Sequence, residues 1–333
     1  MTASSLHDSL IVVDGLVISN FGPEIFRHMQ QGGITAANCT CSIWDNFRQT
    51  MDNIARWKSW FRDHPDIIRQ VYTVADIRKA KTEGRVGIIL GWQNTSAIED
   101  RLHYLQIFHE LGVRIVQLTY NTQNFVGSGC YEGRDSGLSD FGREAVDEMN
   151  RLGIVIDLSH VGANTTEDVI GYSKTPVCYT HIAPAALKAH PRNKSDAQLR
   201  TIAGKGGFIG VTMFPPFMAK GPDSTIDDYV QAIEHVMNVA GEDQVGIGTD
   251  FAQRSDVRPS YWPDHPGYFT NDKGYARRLT DFSNSRLPPD FQSLADYGNL
   301  TTAMERRGWK EARIRKIMGE NWMKYLETVW HDS

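Results

Sequence analysis

The chain has 333 residues, 41% of them apolar and 23% charged, with a formal net charge of -5. That length and apolar content suffice for a sizeable core, and the balanced, interspersed charge excludes a basic nucleic-acid surface and a polybasic membrane-binding segment. The four cysteines, Cys39, Cys41, Cys130 and Cys178, lack zinc-finger spacing and read as reduced thiols, Cys39 and Cys41 packing on one face of a strand.

The amino-terminal stretch MTASSLHDSL has no charged start followed by a long apolar run, and no later run reaches the ~18 apolar residues of a membrane span. The expectation is a cytoplasmic protein with no membrane and no nucleic-acid partner, unless a leader precedes this sequence.

Short apolar runs then alternate with longer amphipathic ones, the signature of repeated βαβ units. Residues 10–17 (LIVVDGLV) form the first predicted strand, with a helix over 23–31 ending at Gly32 and Gly33. The second strand is 34–42, followed by a long helix over 45–63 with Trp57, Trp60 and Phe61 on its buried side. Asp76 begins a short helix that stops at Gly84, before a third strand at 85–93 and a helix over 96–111. Strand four is 113–120, and the glycine-bearing loop 121–137 leads to the helix 139–152. Strand five, 153–161 (GIVIDLSHV), is apolar along its length and bunches Asp157, Ser159 and His160 at its far end.

A helix at 164–172 precedes strand six, 176–182, which carries His181. The loop 183–194 and a helix at 196–203 lead to strand seven at 206–214, then to a helix over 226–240 and strand eight, 244–251, ending in Thr249, Asp250 and Phe251. Residues 252–291 are rich in proline, aromatic and charged residues and show no period. A stretch of that kind after the last strand is expected to lie over the mouth as a lid, with Tyr261, Trp262 and Tyr268 either stacking on substrate or packing the loop down. Helices over 294–307, 309–318 and 321–329 close the chain. The expected architecture is therefore one α/β domain over residues 1–333, a (β/α)8 TIM-like barrel with that lid and those C-terminal helices.

A parallel barrel gathers its strand ends at one mouth. Asp14, Gln93, Asn94, Thr119, Tyr120, His160, His181 and Asp250 fall there. His160, His181 and Asp250 suit one catalytic metal with an open position for water, which would polarise a carbonyl. The same residues could instead bond neighbouring loops and cap a turn. Gly246 and Gly248 read as close-packing positions, with no phosphate-cradle spacing after them.

The blocks GLSDFGREAVDEMNRLGIVIDLSHV (137–161), HPRN (190–193), VGIGTDF (245–251) and IMGENWMKYL (317–326) resemble the renal, or membrane, dipeptidase family of the amidohydrolase superfamily, the similarity running from about residue 12 to 326. The resemblance implies a metal-dependent barrel hydrolase that cleaves dipeptides with two zinc ions, and barrels of this family often pair as homodimers. It assigns His160 and His181 to the second metal, Asp250 to the first metal and to proton transfer, and Arg192, beside Asn193, to the substrate carboxylate.

Other positions depart from the family. Its His-x-Asp pair after the strand-one Asp-Gly is replaced by Leu16, Val17 and Ile18, its bridging glutamate by Gln93, and its oxyanion histidine by Tyr120. Two closely spaced divalent ions need carboxylates between and around them, so the expectation is at most one zinc. Catalytic roles fall to Asp250 and to Tyr120 as oxyanion donor; substrate contacts fall to Arg192, Asn193, Gln93 and Tyr120. The expected activity is hydrolysis of the amide bond of a dipeptide or related small carboxylate-bearing amide. The alternatives are a metal-free lyase or decarboxylase on the same barrel and an inactive small-ligand-binding homologue.

Overall fold

The computed structural model describes residues 5–253 and 287–330. Nine parallel strands form the sheet: β1 (Val13–Val17), β2 (Ala36–Ser42), β3 (Ile68–Gln70), β4 (Val86–Trp92), β5 (Val113–Gln117), β6 (Val155–Asp157), β7 (Cys178–Ile182), β8 (Phe208–Val211) and β9 (Val245–Ile247). Eight run in the order β1-β2-β4-β5-β6-β7-β8-β9. A parallel bridge from Val17 to Phe251, with Ile18 N donating to Phe251 O at 3.1 Å, joins the last strand to the first. This is the (β/α)8 barrel expected from the alternating runs, and each predicted strand contains one of the eight.

The strand the sequence did not reveal is β3. It pairs with Val86, Gly87 and Ile88, while β5 pairs with the later residues Leu90, Gly91 and Trp92 of β4. The two share β4 end to end, so β3 covers backbone groups that β5 starts too late to reach.

Helix starts are written in the local sequence. Asn46 with Gln49, Thr73 with Asp76, Ser195 with Gln198 and Thr225 with Asp228 form reciprocal capping boxes, which satisfy otherwise orphaned N–H groups. The expected helix over 96–111 is instead a 3-10 turn (Ser96–Ile98) and a helix (Tyr104–Glu110). Between them Glu99 takes a positive φ of 53°, which ends the first turn.

Three glycines narrow the barrel around the Thr180 carbonyl of β7. A Cβ on Gly15, Gly210 or Gly248 would lie 2.4, 2.0 or 1.8 Å from that oxygen, so only glycine lets these backbones approach. Gly246 and Gly248 are thus close-packing positions, as expected. Directly against these glycines, on the side away from the mouth, the helix Asn321–Val329 inserts Trp322 among Val13, Ile115, Val155 and Phe208, and its indole donates to Ile247 O at 2.8 Å. That helix is the floor of the barrel. Of the expected lid, residues 254–286, including Tyr261, Trp262 and Tyr268, lie outside the described residues.

Candidate active site

The C-terminal ends of β6 and β7 hold a buried polar network. Asp157, fully interior, accepts from Ser159 N and Oγ at 3.0 and 2.6 Å and from Thr180 N and Oγ1 at 2.9 and 2.6 Å. Thr180 Oγ1 lies 2.6 Å from His181 Nδ1, and His160 Nδ1 lies 2.7 Å from Asn121 Oδ1. The two imidazoles then meet, Nε2 to Nε2, at 3.0 Å.

Counting protons fixes the tautomers. The Asn121 oxygen can only accept, so His160 Nδ1 donates. The Thr180 hydroxyl proton goes to Asp157, so Thr180 Oγ1 accepts from His181 Nδ1. Both Nε2 atoms of the neutral rings therefore carry lone pairs, and two lone pairs 3.0 Å apart repel unless a cation lies between them. A proton is disfavoured there, because burial first and the Arg192 guanidinium second hold both imidazole pKa values well below the ordinary histidine value. Two neutral imidazoles, each anchored through its outer nitrogen, are what a metal ion takes as ligands, at nitrogen distances of about 2.0–2.1 Å. Among the described residues, however, no group of three or more His, Cys, Asp or Glu side chains is placed to hold an ion. The structure thus brings the two histidines together, and among the described residues it does not gather Asp250 with them into one ligand set.

Asp250 sits at the rim, partly exposed, with a left-handed backbone (φ 56°) and its N–H bonded to Leu16 O at 3.0 Å. Burial pushes its carboxyl up to about 7 against the attraction of Arg192, with Asp14 and Asp157 adding to the rise. A carboxyl poised there exchanges protons readily near neutrality. Asn121, at φ 64°, is the other left-handed residue of the mouth, and non-glycine residues in that region cluster at functional sites.

Arg192 is completely buried. One nitrogen, Nη2, donates to His181 O at 2.7 Å, the guanidinium carbon lies 5.4 Å from the Phe217 ring centre, and Nε and Nη1 have no partner in the protein. Two buried donors left without acceptors carry a desolvation penalty that a ligand oxygen would remove. Asn193 instead ties loops together, donating to Lys188 O and Phe217 O at 2.9 Å each, with its Oδ1 unpartnered. Beside them Lys194, buried and not noticed in the sequence, donates to Val161 O at 2.9 Å, and burial lowers its pKa to about 8.

The β1, β2 and β4 ends differ. Asp14 is spent within the scaffold: it accepts from Leu16 N at 3.0 Å, Thr249 N at 2.9 Å, Thr249 Oγ1 at 2.6 Å and the Tyr297 hydroxyl. Gln93 donates to Thr40 Oγ1 at 2.9 Å and its own carbonyl receives Gln117 Nε2. Leu16 is buried, and Ile18 packs with Trp44 against Ile43, Tyr120, Phe214 and Phe217. Tyr120 stacks on His160 with ring centres 4.2 Å apart and meets Trp44 edge-on at 5.4 Å. Asn121 was missed in the sequence; its signal was an αL-tolerant residue directly after a strand-end aromatic.

Comparison with known proteins agrees with this fold. A solved amidohydrolase from Pseudomonas aeruginosa is 53% identical, with a TM-score of 0.92 and 98% of each chain covered. A metallopeptidase from Rhodobacter sphaeroides, solved with a phosphinate mimic of L-Ala-D-Ala, superposes with a TM-score of 0.79 at 21% identity over 96% of this chain and 99% of its own, and so shares the fold. A dipeptidase of Schizosaccharomyces pombe described as uncharacterized is 37% identical over 177 residues, which span 51% of this chain and 42% of that protein. Residues 22–267 match the membrane dipeptidase family, peptidase family M19, and the chain belongs to that family.

Proposed function

We propose that this chain hydrolyses the amide bond of a dipeptide or related small carboxylate-bearing amide, at a site that takes at most one metal ion. The observation that carries the proposal is Arg192, whose Nε and Nη1 are buried without a partner next to two histidines and an aspartate of raised pKa. A buried guanidinium with donors still unpartnered suits an anionic oxygen such as that of a carboxylate.

His160 and His181 would hold the ion, zinc on the family's pattern, and when bound it supplies Lewis-acid polarisation of the carbonyl and an acidified water. A second ion lacks ligands, since Asp14 already accepts four hydrogen bonds and Leu16, Ile18 and Gln93 offer no anion. Arg192 binds and orients the substrate carboxylate. Asp250 takes a proton from water and returns it to the departing amine, which its position near neutrality favours. Tyr120 turns a phenol toward the developing oxyanion and, stacked on His160, keeps that ring in place. Asn193 holds the loop that carries Arg192, and Gln93 borders the substrate. The same proposal has the protein acting as a homodimer in the cytoplasm, which light scattering and cell fractionation test.

The deciding experiment is a hydrolysis screen of dipeptides and N-acyl amino acids with added zinc, manganese or cobalt; no turnover under any condition sinks the reading. One observation favours a second reading, a metal-free enzyme or binding protein: no third ligand joins the histidine pair among the described residues. Activity that survives chelation would select it.

A further inference from the structure

Of the carboxylates at or just past the strand ends among the described residues, Asp14, Asp45 and Asp157 are buried and already engaged, Asp45 accepting from Ile43 N at 3.1 Å and from Asn53 Nδ2 at 3.3 Å. Asp14 and Asp157 each accept four hydrogen bonds from neighbouring backbone and hydroxyl groups, and both are buried within the scaffold. That leaves Asp250, whose proton-carrying role requires it to change charge during the reaction. Among the described residues, a permanent ammonium on the substrate would have to rely on this one group.

The surface facing such an ammonium is apolar. Ile18 and Trp44, both partly exposed, lie against the buried Ile43, Tyr120, Phe214 and Phe217, and Phe214 and Phe217 pack with ring centres 5.2 Å apart. Phe217 belongs both to this wall and to the face of Arg192, 5.4 Å from the guanidinium, so the apolar wall and the cation are adjacent. An ammonium seated against it would give up water without a partner, whereas a hydrocarbon group would gain by burial.

We propose that the substrate is an N-acyl amino acid: its carboxylate goes to an unpartnered N–H of Arg192, its aromatic or branched acyl group packs on the wall of Ile18, Trp44 and Tyr120, and it carries no α-ammonium. The inference rests on the hydrolase reading above and narrows it. In the step itself a water oxygen bonds to the acyl carbon, the C–N bond breaks, and the nitrogen leaves with a proton from that water. A carboxylate and a free amino acid result, with no change of oxidation state and no further reactant.

The test separates binding from turnover. Two non-cleavable ketomethylene analogues are titrated calorimetrically into the native protein: that of 3-phenylpropanoyl-alanine and that of phenylalanyl-alanine, which differ by the α-ammonium alone. The acyl analogue should bind at least about tenfold more tightly. Trp44→Ala should weaken it about tenfold while changing the acetyl-alanine analogue little, and Ile18→Asp, which adds an anion to the wall, should move the preference toward the ammonium compound. Thermal unfolding checks that each variant is folded, and the native comparison stands without them. Equal or tighter binding of the ammonium analogue overturns the proposal, as does failure of both analogues to bind at millimolar concentration. The cleavable pair then reports on the reaction: tight acyl binding without turnover sinks the hydrolase reading and leaves the ligand class standing.

Discussion

The barrel contains the same carboxylate device twice, once where β1 meets β9 and once where β6 meets β7. Asp14 and Asp157 each accept from the backbone N–H two residues on and from both the N–H and the hydroxyl of a threonine across the strand gap. The difference lies in what each threonine touches next. Thr249 meets the buried Tyr297 hydroxyl at 3.0 Å, whereas Thr180 meets His181 at 2.6 Å. One relay ends in a C-terminal helix and braces the fold; the other ends in an imidazole and aims it. Chemistry is thus placed on the scaffold by the residue at the end of the relay, while the relay belongs to the barrel.

The sharpest break of that contrast is on the functional side. Arg192→Ala should lower kcat/KM on the order of a thousandfold, and Arg192→Lys should recover less than about a tenth of it, because a point charge does not replace two fixed donors. Steady-state kinetics on the best substrate of the screen measures both. Metal content by plasma mass spectrometry comes next. At most one equivalent is expected in the native protein and none in the His160→Ala, His181→Ala double variant, and Gln93→Glu should not add a second. Two native equivalents would mean that the apolar side holds an ion after all.

The twin aspartates offer the direct comparison. Asp14→Asn and Asp157→Asn should each cost about 3 kcal/mol in urea unfolding, since each removes charge-assisted bonds in the interior. Only Asp157→Asn should also lower kcat/KM, by about ten- to a hundredfold, through misdirection of His181. Equal kinetic losses would erase the distinction between the two relays.

The smallest effect comes from His7, far from the mouth and buried between Thr301 Oγ1 at 2.7 Å and Gly32 O at 2.9 Å. Burial holds its pKa below the ordinary 6.5. The unfolded chain therefore binds the proton first as pH falls, so stability is full above about pH 6.5 and declines from there toward the folded value. Urea midpoints at pH 7.5 and pH 5.5 should differ less in His7→Asn than in the native protein.

The eight barrel strands were legible because they are buried along their whole length and lie in short, mainly apolar runs between longer amphipathic ones. The short β3 was not, since Ile68, Arg69 and Gln70 form no such run and owe their conformation to the open edge of β4. His160 and His181 stood out by type and position, and Arg192 through the family resemblance. Their supports did not: Asn121, Thr180 and Lys194 have everyday loop or strand identities, and only the fold carries their oxygens and nitrogens to the histidines and to Val161. The proton inventory that sets both tautomers is a property of distances, which no spacing in the chain encodes.

Trp322 gives the barrel a floor made from almost the last segment of the chain, touching strands that begin at Val13. During synthesis those strands emerge long before their cover. Until residue 322 has left the ribosome, the inward faces of Val13, Ile115, Val155 and Phe208 have nothing to close against, and the ring cannot settle to its final diameter. A chain cut before residue 322 is therefore expected to be more open to proteases than the full chain, which limited proteolysis of the two forms checks.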